Sequence, residues 1–279
     1  MIVNGEFIRN RRIRLGLSQR MVADDICHQS LVSRLENTNH ITSMTILLRI
    51  CDRLQISISD VTKGSHSELR PLQTAREALN CQQWHKVGQI LSNQKLQNSL
   101  LPHSLAEFHL LYAKMYIGQE NYMAAIRSLQ LAIKSTGANK LILLVEMYAE
   151  MAYVWLVMGD QNNAQEMLTE TLRKRARLTK YQIEAGREII VLVHYRIAQI
   201  YYAFENFLHA NEELEKAIEQ IISNESYHLL VEIQILKAHC AKYLHKTEEK
   251  QKALMLAYAA AEFSKDAGLK EMVKPYFTY

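Results

Sequence analysis

Glycine and proline are scarce in this chain, with 9 and 3 among 279 residues. Few turns can interrupt it, and the abundant Leu, Ala, Glu, Lys, Gln and Met favour helix nearly everywhere, so almost no sheet is expected. No run of about 18 apolar residues occurs, and the N-terminus has no charged segment followed by a long apolar stretch. A soluble cytoplasmic protein with no membrane partner is therefore expected. The 4 cysteines, Cys27, Cys51, Cys81 and Cys240, stand far apart with no C-x-x-C pair, which reads as small buried hydrophobes in a reducing compartment and leaves no metal site. The sequence also lacks H-E-x-x-H, phosphate-loop, dinucleotide-loop and nucleophile-elbow motifs. Neither an enzyme nor a cofactor is expected.

Hydrophobic residues make up 48% of the chain and charged residues 22%, a balance that supports a real core and excludes disorder. The net charge of +4 is too small to point to nucleic acid by itself. Its placement matters more, because Arg9, Arg11, Arg12, Arg14 and Arg20 face only Glu6 within residues 1–20, a local basic patch. Residues 6–15 repeat Phe7, Ile8, Ile13 and Leu15 among these arginines as a basic amphipathic helix ending at Gly16. Ser18 is a good N-cap for a second helix with Met21, Val22 and Ile26 on one face. After Cys27 and His28 comes a third, QSLVSRLEN, which buries Leu31, Val32 and Leu35 and turns Gln29, Ser30, Ser33 and Arg34 outward. Two short helices on a tight turn are a helix-turn-helix candidate.

Such a third helix can lie in a DNA major groove, where its first turn reaches base edges. Gln29 then suits adenine and Arg34 guanine, and the helix starts near Ser18 and Ser43 offer N–H groups to phosphate. His28 can touch phosphate or base. Ser43 caps a fourth helix with an apolar stripe of Ile46, Leu47, Ile50, Cys51 and Leu54, and residues 57–61 add a fifth. The stretch KGSHSELRP reads as a linker, so the expected division is 1–64, a linker at 65–71, and 72–279.

From residue 72 the pattern becomes periodic. Ala113, Tyr116, Tyr122, Ala125, Leu129 and Ala132 recur 39 residues later as Ala152, Trp155, Gln161, Ala164, Leu168 and Thr171, and 46 residues later again as Ala198, Tyr201, Phe207, Ala210, Leu214 and Ala217. Weaker copies flank them at Ala75, Ala78 and Trp84 and at Ala238, Ala253, Ala257 and Ala260. Small residues let paired helices approach closely, and the aromatics fill the gap to the next pair. This resembles the tetratricopeptide repeat, including a Gly159-Asp160 turn, although its period of about 34 is exceeded here, so the helices or loops must be extended. The expected fold is all-α, a helix-turn-helix domain followed by a right-handed superhelix of helical hairpins. The basic run from Thr171 to Leu178 reads as a solvated helix end.

RRIRLGLSQ (11–19), HQSLVSRLEN (28–37) and SMTILLRICDRLQISISDV (43–61) resemble the Xre-like regulators, including the lambdoid phage repressors. That resemblance implies that Gln19 grips a phosphate, that Gln29, Ser30 and Arg34 face the groove, and that Arg12 pairs with Glu36. The whole layout is similar to that of a PlcR-like member of the Rgg, NprR, PlcR and PrgX group of peptide-responsive quorum-sensing regulators. Similarity to that group implies a cytoplasmic homodimer on a palindromic operator in double-stranded DNA, an activator of transcription switched by a short re-imported signalling peptide on the concave face of the repeats.

In such hairpins the first helix lines the concave face, and the residues projecting there are Lys114, Glu150, Tyr153, Tyr195, Arg196, Gln199 and Tyr202, with Glu107 and Glu146 beside them. Arg or Lys can hold a carboxylate, and Tyr can pack apolar groups. The sequence departs from the group at one point, since Glu150 and Arg196 stand where the group uses asparagines to hold the peptide backbone. Two other readings compete with this one: a ligand-independent Xre-type repressor of phage or plasmid type, and a helical-repeat scaffold for a protein partner.

Overall fold

The computed structural model describes residues 3–61, 66–100, 102–136, 140–224, 227, 229–264 and 267–277. The chain divides into two compact units, Met1–Ala75 with Ile90–Leu100, and Arg76–Gln89 with Leu101–Tyr279. Among the described residues there is no strand, and no helix is long and apolar enough to cross a membrane.

The first unit opens with five helices, α1 Gly5–Arg14, α2 Gln19–Ala23, α3 Gln29–Thr38, α4 Met44–Leu54 and α5 Ile58–Val61. Each of the first four starts on a capping side chain. Asn4 accepts from the N–H of Phe7, Ser18 from Met21 and Ser43 from Ile46, while His28 Nδ1 accepts from Ser30. These caps satisfy N–H groups that would otherwise lack partners at helix starts. Asn39 and Gln55 stop α3 and α4 in the left-handed conformation. Val22, Val32, Leu35, Leu47, Ile50 and Leu54 close the core with Ile8, each contributing about 1.5–3 kcal/mol.

Two helix faces differ from the sequence pattern. On α1 only Gly5 and Ile8 are buried, whereas Phe7, Ile13 and Leu15 are exposed; the packed stripe runs through Gly5, Ile8 and Arg12, at i, i+3 and i+7. The second helix ends at Ala23, because Asp24 is extended and Asp25 adopts a positive φ of 54°. Ala23 therefore takes a core place with Val22, and Met21 is left exposed. Arg53 of α4 secures this early stop. Its Nη1 donates to the carbonyls of Met21 at 3.2 Å and Val22 at 3.4 Å, and to that of Asp24.

Gly5 shows why α1 and α3 can approach so closely. A Cβ there would lie 2.2 Å from the carbonyl oxygen of Leu35 and 2.9 Å from that of Glu36, both of which are backbone atoms that cannot swing aside. Gly5→Ala is expected to lower stability by about 1–3 kcal/mol, read as an earlier thermal transition in far-UV circular dichroism. An unchanged midpoint would remove the close-approach argument.

The next helices are α6 His66–Asn80, α7 Trp84–Leu91 and α8 Gln94–Ser99. Residues 63–65 of the expected linker lie outside the described residues. From His66 onward the stretch is helix with Pro71 inside it, its helix-forming Glu68, Leu69 and Arg70 outweighing one missing N–H. The division between the two units falls within α6, after Ala75.

The second unit continues with α9 Pro102–Gly118, α10 Tyr122–Lys134, α11 Leu141–Val157, α12 Gln161–Arg175, α13 Lys180–Ala185, α14 Arg187–Ala203, α15 Phe207–Asn224, α16 Leu230–Tyr243, α17 Thr247–Phe263 and α18 Ala267–Val273. The helices pack as antiparallel hairpins α9/α10, α11/α12, α14/α15 and α16/α17, and the first helix of one pair lies against that of the next in α11 and α14. The small residues of the repeat sit where the pattern requires: Ala113, Ala125, Ala132, Ala152, Ala164, Ala198, Ala210 and Ala217 are fully buried. Thr171 fits an alanine position because its hydroxyl donates to the Met167 carbonyl at 2.8 Å. The long second spacing has a specific cause, the extra helix α13, which starts on a capping box at Thr179 and Gln182.

Candidate nucleic-acid interface and ligand cleft

The exposed start of α3 is held by a chain of side chains reaching down to a buried charge. Arg12 grips Glu36 with both edges of its guanidinium, Nε to Oε1 at 2.6 Å and Nη2 to Oε2 at 2.8 Å, and Nη1 donates to the Leu17 carbonyl at 2.9 Å. The Glu36 side chain is 0% exposed. Its hydrogen bonds raise the Arg12 pKa further above its ordinary value, against the effect of burial. Gln19 Nε2 also donates to Glu36 Oε2, at 2.8 Å.

This contact sets the polarity of everything above it. A carboxylate only accepts, so Gln19 must present its Nε2 to Glu36 and keep its Oε1 outward. Gln29 Nε2 donates to that Oε1 at 2.7 Å. Gln29 is exposed, and its carbonyl and second N–H are the acceptor and donor pair that matches adenine N6 and N7. The resemblance to the Xre-like regulators implies a phosphate contact for Gln19; in the structure Gln19 is the strut that orients Gln29. His28, Gln29, Ser30 and Arg34 are exposed, with Ser33 and Ser43 half-buried. The His28 ring is held 2.8 Å from the Ser30 hydroxyl. Ser33 Oγ accepts from Asn37.

The second unit holds a cleft of about 580 Å³ whose lining includes Lys114, Glu150, Tyr153, Tyr195, Arg196 and Gln199. These come from α9, α11 and α14, the first helices of three successive hairpins, so one stripe per helix reaches a common space. Tyr202 is placed differently. It continues the stripe of Tyr195 and Gln199 to the end of α14, where it packs against Phe207, His239 and Tyr243, and burial pushes its hydroxyl up to about 12. Arg196 is the centre of the cleft. Its Nε donates to Glu150 Oε2 at 3.1 Å, its Nη1 to Gln199 Oε1 at 2.9 Å, and its guanidinium lies 3.7 Å over the Tyr153 ring. Trp84 closes one wall and requires Gly118, where a Cβ would come within 2.6 Å of the indole.

The basic run after Thr171 is divided, with Arg173 and Arg177 exposed and Lys174 and Arg175 half-buried. Arg173 and Lys174 meet Glu170, Lys174 also covers the Tyr148 ring, and Arg175 joins Glu213. Among the described residues no cluster of metal-ligating side chains occurs.

Residues 8–61 match the helix-turn-helix family. They are a helix-turn-helix domain. A search among curated proteins finds no match. Among solved structures, the chain is similar to Bacillus thuringiensis PlcR in complex with the peptide PapR7 and DNA, at 20% identity and a TM-score of 0.69, covering 97% of this chain and 98% of that one. Apo PlcR from the same organism matches at 17% identity and a TM-score of 0.60, covering 98% and 100%. The SHP pheromone receptor Rgg2 of Streptococcus dysgalactiae matches at 15% and 0.56, covering 98% and 97%. These likenesses show that the fold behind the helix-turn-helix domain is the helical fold of those proteins, over nearly the full length of both chains.

Proposed function

We propose that the chain is a cytoplasmic transcription regulator that binds a palindromic operator as a homodimer and is switched by a short imported peptide in the cleft of its repeat unit. The observation that carries the DNA part is the polarised chain Arg12, Glu36, Gln19, Gln29, which presents a fixed amide beside the exposed Ser30 and Arg34. One recognition helix reads only a few base pairs, so two copies on half-sites about one helical turn apart supply the specificity. The cleft supports the peptide part. Six inner-face side chains meet there, and stacked hairpins use such concave surfaces to bind extended ligands. PlcR, solved with the peptide PapR7 and DNA, has the same fold. We take the regulation to be activation.

The test is selection of duplex DNA from a random pool by the full-length protein, followed by anisotropy titration with and without added peptides. Gln29→Ala and Arg34→Ala, tested singly, are each expected to relax the preference at one base pair per half-site by about 1–3 kcal/mol while leaving the fold intact. Undiminished affinity and specificity in both variants would remove the groove assignment. DNA binding that no peptide alters would favour the ligand-independent repressor.

A further inference from the structure

The cleft carries cations, and every cation described on its wall already has a carboxylate. Arg196 is matched by Glu150 and Lys114 by Glu146. A second cavity of about 90 Å³ shares Leu79, Asn80, Lys114 and Leu192 with the first and extends it; there Arg76 meets Glu107 at 2.6 Å. Each pair joins one inner helix to the next, α6 to α9, α9 to α11, and α11 to α14. Glu188 and Glu232 also line this continuous space, and no further Lys or Arg does so among the described lining residues. The described cations of the wall are thus compensated, and a ligand carboxylate would meet no uncompensated positive charge among them.

Arg196 nonetheless keeps donors in reserve. A guanidinium has five N–H groups, and two of them are spent on Glu150 and Gln199 among the described residues. Its side chain is 14% exposed, and Glu150 beneath it 2%. The Tyr153 ring covers one face of the guanidinium plane, so the remaining N–H edge is what the cleft presents. A charge-neutralised guanidinium with spare N–H groups suits an uncharged acceptor. The hydrogen bonds are available without a net charge to match.

We propose that this cleft takes the uncharged main chain of its peptide, with Arg196 donating to a backbone carbonyl, and that it turns away a free C-terminal carboxylate. This rests on the peptide-binding reading above and specifies the ligand chemistry of the same site.

The experiment uses the full-length protein and two synthetic pools of random heptapeptides that differ only at the C-terminus, free acid in one and carboxamide in the other. Bound peptides are recovered and quantified by mass spectrometry, with Leu192→Trp, which fills the cleft, as the background. The wild type is expected to capture the carboxamide pool at least as well as the acid pool. Glu150→Gln keeps a hydrogen-bond acceptor but frees the Arg196 charge, and is expected to shift the capture ratio toward the acid pool by about tenfold. Glu146→Gln, freeing Lys114, should shift it the same way and serves if the first variant folds poorly. A wild-type preference for the acid pool by several-fold, or an unchanged ratio in the folded variants, overturns the proposal and leaves peptide binding standing. Capture of neither pool above background overturns peptide binding itself, and the proposal with it.

Discussion

Replacing Arg12 by alanine is expected to destabilise the helix-turn-helix domain by about 3–5 kcal/mol. The size follows from what is left behind. Glu36 is enclosed completely and receives two bonds from Arg12 and one from Gln19. Without the guanidinium, a buried carboxylate must keep its charge with one neutral donor or take up a proton, and both states are unfavourable. The effect should be local and can be read as such, because residues 1–75 contain no Trp or Tyr. Far-UV circular dichroism should lose an early helical transition while tryptophan fluorescence, which reports Trp84 and Trp155, stays unchanged. DNA affinity should also fall, although Arg12 does not face the groove, since Gln19 loses the anchor that orients Gln29. Removing both charges with Arg12→Met and Glu36→Leu should restore much of the stability, because no lone charge remains, without restoring DNA selectivity. A single Arg12→Ala variant as stable as the wild type would show that the pair does not hold α1 to α3.

The elements that were legible in the sequence are those whose partners lie at helical or repeat spacing. Ala113, Ala125 and Ala132 recur in register in later copies because each hairpin meets its neighbour in the same way, so periodicity alone announces the hairpins. Ser18 and Ser43 announce their caps for a similar reason, since the group that each satisfies is three residues on. The end of α2 was not legible. It depends on Arg53, whose carbonyl partners lie 29 to 32 residues earlier, and nothing at Asp24 or Asp25 signals them. Inner-face residues such as Lys114 and Glu146 could be placed on one side of their helices by counting. Their mutual pairing could not, because it depends on the separation of α9 and α11 rather than on spacing along either. Tyr202 marks the same limit, since it follows Tyr195 and Gln199 along the helix but lies at its end, where its ring meets Phe207 and Tyr243.

The largest effect in the repeat unit is expected at Glu213, which the sequence does not single out. It ties three helices together: Arg175 from α12 donates to it at 2.5 and 3.2 Å, His194 from α14 lies 2.6 Å from Oε2, and Lys216 of its own helix donates at 2.9 Å. Burial opposes its charge, but the hydrogen bonds from His194 and Arg175 outweigh burial and hold its carboxyl well below the usual carboxylate range. His194 is shifted down, chiefly by its own burial and further by Arg175 and Lys216, although Glu213 pulls it the other way. It is therefore neutral at pH 7, and its Nδ1–H donates to the carboxylate. Glu213→Ala leaves Arg175 without its carboxylate and is expected to cost about 3 kcal/mol, at the low end for a broken buried pair because the Arg175 side chain keeps 21% of its exposure. The pH dependence has one sign for both groups. The unfolded chain protonates His194 near its ordinary value of 6.5, and later Glu213 near 4.5, while the folded chain resists both, so stability is present at neutral pH and declines as the pH falls. The tryptophan-detected melting temperature of the wild type should drop between pH 7 and pH 5, and His194→Gln should flatten that part of the profile. A His194→Gln profile with the same slope as the wild type would place the titrating group elsewhere.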